Sequence, residues 1–171
     1  MLKFLLVTLC LVNVIRCALL SQIIFLRNEA IKTFLTDNSS NEIDESNNGK
    51  IGKFIFSMPK SNKKNQAWLK EHSQTRITCF TLKNKFTGKH LSSNEYGDVF
   101  TQQAIITNES YYHSWRWQNK ALINCQTNKY LILINYSGKN GEVSSTSVSN
   151  DRWGQLWEQL ENNPGKKRIH S

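Results

Sequence analysis

Short runs of alternating apolar and polar residues follow one another along most of the chain. The runs are rich in β-branched and aromatic side chains, which favour strands over helices. Their sequences are IIFLR, KFIFSM, RITCFTL, DVFTQQAII, ALINC and KYLILINY. Turn signals such as Asn48-Gly49, Ser137-Gly138 and Asn140-Gly141 lie near their ends. Because no stretch has the apolar periodicity of a helix of ordinary length, the pattern predicts an all-β domain of about a dozen short strands.

One pattern of landmarks occurs three times, always in the same order. Each copy opens with alternating apolar residues, continues with a lysine followed by bulky residues, and closes at a tryptophan. The copies cover about residues 22–69, 75–118 and 121–160, and we call them the first, second and third units. The closing tryptophans are Trp68, Trp117 and Trp157, which follow Leu35, Leu91 and Leu131 by 33, 26 and 26 residues. The longer spacing in the first unit coincides with a polar, Asn-rich segment, which predicts a surface loop insertion there.

Three strand-rich units that each end in Gln-x-Trp, or in a relic of it, resemble the ricin-type β-trefoil lectins. The resemblance extends over about residues 20–160. It implies a β-trefoil, in which a six-stranded barrel is capped by three hairpins and leaves no open sheet edge. It also implies that Trp68, Trp117 and Trp157 pack in the core. Trp115 and Trp153 are then expected to be exposed or half-exposed.

The resemblance further implies where a sugar site would lie. Related lectins use an Asp near the second strand of a unit, an aromatic residue about 12 residues before the closing tryptophan, and the Asn-Gln of Asn-Gln-x-Trp. The first unit supplies Phe56, Asn65 and Gln66. Asp37 lies one residue beyond the expected position, which Thr36 occupies, and an offset of one residue reverses the face of a strand. The other two units have Ser92, Ile105 and Ser114, and Ile132, Ser145 and Gly154, at the three positions, so we expect no sugar site in either.

The first 17 residues, MLKFLLVTLCLVNVIRC, begin with a lysine and an apolar segment from Phe4 to Ile15. This order is typical of a cleaved secretory signal peptide, and the apolar segment is too short for a membrane span. We therefore expect a secreted, extracellular domain over residues 18–162 with no transmembrane segment after cleavage; a retained signal anchor is the alternative. In a secretory pathway the three sequons would be N-glycosylation sites, at Asn38, Asn108 and Asn135.

Cleavage would remove Cys10 and Cys17 and leave Cys79 and Cys125. An oxidising compartment permits a disulfide between these two. The alignment of the units places both at the position of Leu26, near the barrel axis. Two alternatives stay open: a disulfide, which requires Cα atoms within about 7 Å, or two buried thiols.

The chain has 22 Lys and Arg against 13 Asp and Glu, a net charge of +9. Such an excess suits nucleic acid, anionic glycans or membrane surfaces. The signal segment and a basic tail, residues 163–171, carry two and three of these charges, and removing them leaves +4. Secretion argues against nucleic acid as a partner. The remaining excess is concentrated in a basic patch around the first closing motif, formed by Lys60, Lys63, Lys64 and Lys70.

The sequence has no metal-ligand spacing of His or Cys, no nucleophile elbow and no phosphate-binding loop. We therefore expect a noncatalytic recognition protein without metal or cofactor, which binds a glycan through the first unit. The alternative is a secreted trefoil ligand or protease inhibitor, whose basic face would engage a receptor, a protease or a sulfated glycan.

Overall fold

The computed structural model describes residues 21–38, 55–61, 64–72, 78–103, 110–137, 140–147 and 154–161. Their regular structure is almost entirely strands, joined by short turns and two 3₁₀ segments at Lys64–Gln66 and Ser110–His113. Within these residues no helix is long and apolar enough to cross a membrane. The strands are β1 Ser21–Asn28, β2 Phe34–Asp37, β3 Ile55–Met58, β4 Trp68–His72, β5 Phe80–Asn84, β6 His90–Ser93, β7 Val99–Gln102, β8 Ser114–Gln118, β9 Ala121–Asn124, β10 Tyr130–Ser137, β11 Asn140–Thr146 and β12 Trp157–Glu161.

Six of the strands form a closed antiparallel barrel. Strand β1 pairs with β12 and β4, β4 pairs with β5, and β8 pairs with β5 and β9. The ring closes where the backbone N–H of Trp157 donates to the carbonyl of Lys120, directly before β9, at 3.0 Å. The other six strands form the antiparallel hairpins β2–β3, β6–β7 and β10–β11. This is the predicted all-β architecture of three units, each with part of the barrel and one hairpin.

A buried asparagine defines the same turn in each unit. Asn28, Asn84 and Asn124 are fully buried, at the ends of β1, β5 and β9. Each Oδ1 accepts hydrogen bonds from the backbone N–H groups two and three residues later. Four residues after each asparagine the backbone has positive φ, at Lys32, Gly88 and Asn128. Because each Nδ2 donates to a carbonyl three residues before a core tryptophan, these asparagines tie neighbouring units together.

The core tryptophans are Trp68, Trp115 and Trp157, all at most 1% exposed. Their Nε1 groups donate to the carbonyls of Leu35, Leu91 and Leu131 at 3.1, 2.9 and 3.0 Å. These equivalent contacts make the prediction of Trp117 as the core residue of the second unit wrong, and with it the expectation that Trp115 is exposed.

Trp117 lies two residues further along β8. It is half-buried, its ring centroid is 6.4 Å from that of Phe80, and its Nε1 has no hydrogen-bond partner among the described residues. The error arose because two spacings of 26 residues matched, whereas the distance from Leu91 to Trp115 is 24. Trp153 lies outside the described residues.

The barrel interior corrects the alignment of the cysteines. Leu26, Leu82 and Leu122 are fully buried and stand two residues before the three asparagines, so they are the equivalent residues. Cys79 and Cys125 do not share that position. They nevertheless form a disulfide, with a Cα–Cα distance of 6.6 Å.

Strand β8 explains how the two cysteines meet. Trp115 pairs with Phe80 on β5 and with Asn124 on β9, so the residues adjacent to its two partners come close together. The bond joins residues 46 apart in sequence. In the chain-entropy model, a cross-link of that span stabilises the fold by about 4 kcal/mol. The predicted signal peptide, residues 1–17, and the basic tail, residues 163–171, lie outside the described residues.

Candidate functional site

The hairpin of the first unit presents two faces with different surroundings. On β2 and β3, Thr36 pairs with Phe56 and Asp37 pairs with Ile55. Because successive residues of a strand point to opposite faces, Thr36 and Asp37 point apart. Thr36 is buried, and its Oγ1 donates to the carbonyl of Phe34 at 2.8 Å. The same oxygen accepts a hydrogen bond from Nε2 of Gln66 at 3.1 Å, so Thr36 is the β2 residue that meets the closing motif.

Gln66 is a buried brace. Besides Thr36, its Nε2 reaches the carbonyl of Pro59 at 2.8 Å, and its Oε1 accepts from the N–H of Ser61 at 2.8 Å. It is 1% exposed, at the end of the 3₁₀ segment Lys64–Gln66. Because all these partners belong to the protein, Gln66 holds the loop after β3 against β2. It is placed to orient a site rather than to contact a ligand.

Asn65 and Phe56 have capacity that the fold does not use. Oδ1 of Asn65 is buried and has no hydrogen-bond partner among the described residues, while its backbone carbonyl accepts from Nδ2 of Asn84 at 2.8 Å. Phe56 is half-buried on β3. A fixed amide and an aromatic ring are the groups that a sugar hydroxyl and the apolar face of a pyranose require.

Asp37 belongs to a different environment. It is 1% exposed, and its carboxylate accepts a hydrogen bond from Oγ1 of Thr87 at 2.6 Å. Thr87 lies in the asparagine turn of the second unit, so Asp37 lies at a contact between units. The structure therefore brings Gln66 together with Thr36, and places Asp37 on the opposite face of β2.

The second unit has a histidine where the first has Gln66. His113 stands two residues before the core Trp115, and its ring lies beside that of His90, with centroids 5.5 Å apart. Both histidines are more than nine-tenths buried, and neither Nδ1 has a hydrogen-bond partner among the described residues. In the described part of the chain no third His, Cys, Asp or Glu joins them to complete a metal site. The alignment on Trp117 concealed this pair; the repeated asparagine turns, which fix the register of the units, would have revealed it.

Burial disfavours the charged form of both imidazoles. It lowers the pKa of His90 to about 4, with smaller contributions from the charges of His113 and Lys83. Burial also lowers the pKa of His113. The pair is therefore neutral at physiological pH.

The basic patch does not form one exposed surface. Lys60 and Lys64 are exposed, and Lys63 lies outside the described residues. Lys70 is half-buried on β4, with its Nζ 4.6 Å from the centroid of the Phe80 ring and 3.3 Å from Oε1 of Gln159. Burial lowers the pKa of Lys70, and the charge of Glu161 partly opposes this shift. Lys70 thus contacts the barrel strands instead of extending into solvent.

Two of the three predicted glycosylation sites lie among the described residues. Asn38 is exposed, directly after β2. Asn135 is exposed on β10, and its Nδ2 donates to the carboxylate of Glu142 at 3.2 Å. Asn108 lies outside the described residues.

No protein-family model matches the sequence, and no curated protein matches it. Solved structures do match. The designed threefold-symmetric protein ThreeFoil aligns with a TM-score of 0.61 at 17% identity, over 81% of this chain and 98% of that one. The lectin SeviL, bound to asialo-GM1 saccharide, aligns with a TM-score of 0.58 at 14% identity, over 83% of this chain and 98% of that one.

A Polyporus squamosus lectin bound to a human-type influenza-binding epitope, Neu5Acα2-6Galβ1-4GlcNAc, aligns with a TM-score of 0.59 at 16% identity. The match covers 82% of this chain and 49% of the lectin, so the present chain spans about half of that protein. At these identities the likeness concerns the fold. Together with the barrel, the three hairpins and the three equivalent tryptophans, it establishes that the chain is a β-trefoil.

Proposed function

We propose that this protein is a secreted, noncatalytic recognition protein that binds a glycan through its first unit. Phe56 is the platform for a pyranose ring, Asn65 is the hydrogen-bonding group, and Gln66 positions the turn that carries Asn65. Two of the similar β-trefoil structures are lectins bound to saccharides, which supports a glycan as the class of ligand.

The unpartnered Oδ1 of Asn65 carries the proposal. A buried polar atom without a partner costs about 1–3 kcal/mol, a cost that a ligand hydroxyl would remove on binding. Its neighbour Gln66, in contrast, has every side-chain hydrogen bond within the protein. The first unit thus has a rigid turn with one acceptor left for a ligand.

Export is proposed from the segment 1–17 and is supported by the Cys79–Cys125 disulfide, because such bonds persist mainly in oxidising compartments. The exposure of Asn38 and Asn135 suits N-glycosylation in that pathway. An extracellular glycan is accordingly the partner that we propose, with no role for nucleic acid.

The test is a glycan array probed at low and high salt with the wild type and the variants Phe56→Ala and Asn65→Ala. We expect binding to neutral glycans that survives high salt and falls about tenfold or more in both variants, since each removes a direct ligand contact. Phe86→Ala is the matched control, because Phe86 is an aromatic residue that is 60% exposed on the asparagine turn of the second unit.

Unchanged neutral-glycan binding in Phe56→Ala and Asn65→Ala would overturn the assignment to the first unit. Binding confined to sulfated chains at low salt would instead favour the basic-face alternative, for which Lys60 and Lys64 are the exposed residues. Absence of binding at both salt concentrations would contradict both and favour a protein partner.

A further inference from the structure

The most exposed aromatic side chain of the described residues is Tyr96, at the tip of the β6–β7 hairpin. It is 91% exposed, against 60% for Phe86 and 42% for Tyr136. An aromatic ring in water gains nothing for the fold, so its placement on a well-ordered turn points to a contact outside the chain.

The turn that carries Tyr96 is held by its own side chains. Oδ1 of Asn94 accepts from the N–H groups of Tyr96 and Asp98, both at 3.0 Å, and Nδ2 of Asn94 donates to the carboxylate of Asp98 at 3.0 Å. The backbone closes the same loop, since the N–H of Asn94 donates to the carbonyl of Asp98 at 3.1 Å. A turn with this many bonds presents its exposed ring with little loss of conformational entropy on binding.

Gly97 fixes the turn to the third unit. It has φ of +97°, and a Cβ there would lie 2.6 Å from the carbonyl oxygen of Ser145. Its own carbonyl accepts from the N–H of Ser145 at 2.9 Å and from Oγ of Ser144 at 2.8 Å. Only a glycine permits this close approach in that conformation. The turn is therefore anchored on both sides, by its own hairpin and by β11.

Polar groups of three chain segments surround the ring. Glu95 is exposed next to Tyr96, and its carboxylate accepts from the hydroxyl of Tyr112 at 3.3 Å. Lys129, from the asparagine turn of the third unit, donates through Nζ to the carbonyl of Glu95. A carboxylate, a phenol and an ammonium group thus lie close to one exposed aromatic side chain, at the junction of the second and third units.

We propose that this surface, Tyr96 with Glu95, Tyr112 and Lys129, is a second glycan-binding subsite for a neutral hexose or N-acetylhexosamine residue. Tyr96 stacks on the apolar face of the pyranose, and the carboxylate of Glu95 accepts from its hydroxyls. The negative charge of Glu95 disfavours an acidic sugar. A single exposed ring with polar neighbours suits a small ring-shaped ligand better than a protein surface, which requires a broad contiguous patch.

The subsite is not the counterpart of the site proposed for the first unit. Phe56 pairs with Thr36, and the residue that pairs with Ser92 in the same way is Phe100, which is 6% exposed. Tyr96 lies beyond that pair, at the hairpin tip. The inference extends the proposed glycan binding but rests on different residues, and the chain would bind two sugars at once.

The experiment compares the wild type with Tyr96→Ala, Tyr96→Phe, Phe56→Ala and the control Phe86→Ala on an array of neutral glycans. We expect Tyr96→Ala to lower binding of at least one group of neutral glycans about tenfold, and Tyr96→Phe to retain it within about threefold, because the ring persists. Thermal unfolding should be unchanged in both Tyr96 variants, since the side chain is exposed. Cross-linking of a multivalent glycoprotein bearing neutral glycans should be lost in either single alanine variant, since bridging requires both sites.

The outcomes separate the two proposals. If Tyr96→Ala binds every glycan as the wild type does while Phe56→Ala loses binding, the second subsite is wrong and the first-unit site stands. If Phe56→Ala is unaffected and Tyr96→Ala loses binding, the second subsite stands and the first-unit assignment is wrong. Equal loss in Tyr96→Ala and Tyr96→Phe would also overturn the stacking role, because the ring alone would then not suffice.

Discussion

The first and second units hold the same backbone with different chemistry at the same place. Asn84 donates to the carbonyl of Asn65, three residues before Trp68, and Asn124 donates to the carbonyl of Tyr112, three residues before Trp115. Between these fixed points the first unit has Gln66 and the second has His113. The frame made by asparagine and tryptophan is therefore independent of the residue that it encloses.

The enclosed residues differ in how their polar atoms are satisfied. Gln66 makes three hydrogen bonds to the protein, whereas Nδ1 of His113 has no partner among the described residues and the ring packs beside His90. The residue at the position of His90 in the first unit is Phe34, so two substitutions change a hydrogen-bonded turn into a pair of neutral histidines. A β-trefoil can thus vary the interior of one unit while the barrel stays the same.

The largest expected effect comes from the tryptophans of β8. Trp115→Ala should lower the free energy of unfolding by about 3–5 kcal/mol, because a fully buried ring and its hydrogen bond to Leu91 are lost together. Trp117→Ala should cost about 1–2 kcal/mol, since that ring is half-buried. Urea unfolding of both variants measures the difference. Equal costs, or a larger cost for Trp117, would contradict the equivalence of Trp115 with Trp68.

The same pair of tryptophans shows how far the sequence could predict the fold. Strand-rich runs such as KFIFSM and KYLILINY correspond to β3 and β10, and the order of three units is sufficient to predict the trefoil. The register of the second unit failed because loop length varies freely between units, so a spacing counted from Leu91 cannot distinguish Trp115 from Trp117.

The candidate site was less predictable than the fold. Phe56, Asn65 and Gln66 could be named from their places in the pattern, but the full set of hydrogen bonds that locks Gln66 depends on how the loop after β3 packs. The prediction for Asp37 depended on a single residue of register, and its contact with Thr87 arises between units that are distant in sequence. The His90–His113 pair is likewise a contact between segments, which no local pattern encodes.

A smaller effect is expected from the turn of the first unit. Gln66→Ala should lower the free energy of unfolding by about 2–3 kcal/mol, because it removes three hydrogen bonds and leaves buried partners such as the N–H of Ser61 unsatisfied. His113→Ala, at the same position in the second unit, should cost less, since no protein hydrogen bond of its Nδ1 is lost. Thermal or urea unfolding compares the two, and a larger cost for His113 would show that the ring packing outweighs the hydrogen bonds of Gln66.

The smallest effect, and the most specific to the second unit, is a dependence of stability on pH. The pKa of His90 is about 4 in the folded chain, below the usual value near 6.5, so between these values the unfolded chain binds more protons than the folded one. Stability is therefore full above pH 6.5 and is lost as the pH falls towards 4, by about 1–2 kcal/mol between pH 6.5 and 5.

The groups that contribute to this shift besides burial are His113, on the neighbouring 3₁₀ segment, and Lys83, which pairs with His90 from β5; on the other side, β7 places the uncharged Gln102 opposite His90. The double variant His90→Phe, His113→Gln gives the second unit the residues of the first and should flatten the slope of stability against pH from 5 to 6.5. His72→Gln, which changes an exposed histidine on β4, controls for the loss of a histidine outside the pair. If the double variant keeps the wild-type slope, the acid sensitivity lies elsewhere and the two units differ in hydrogen bonding alone.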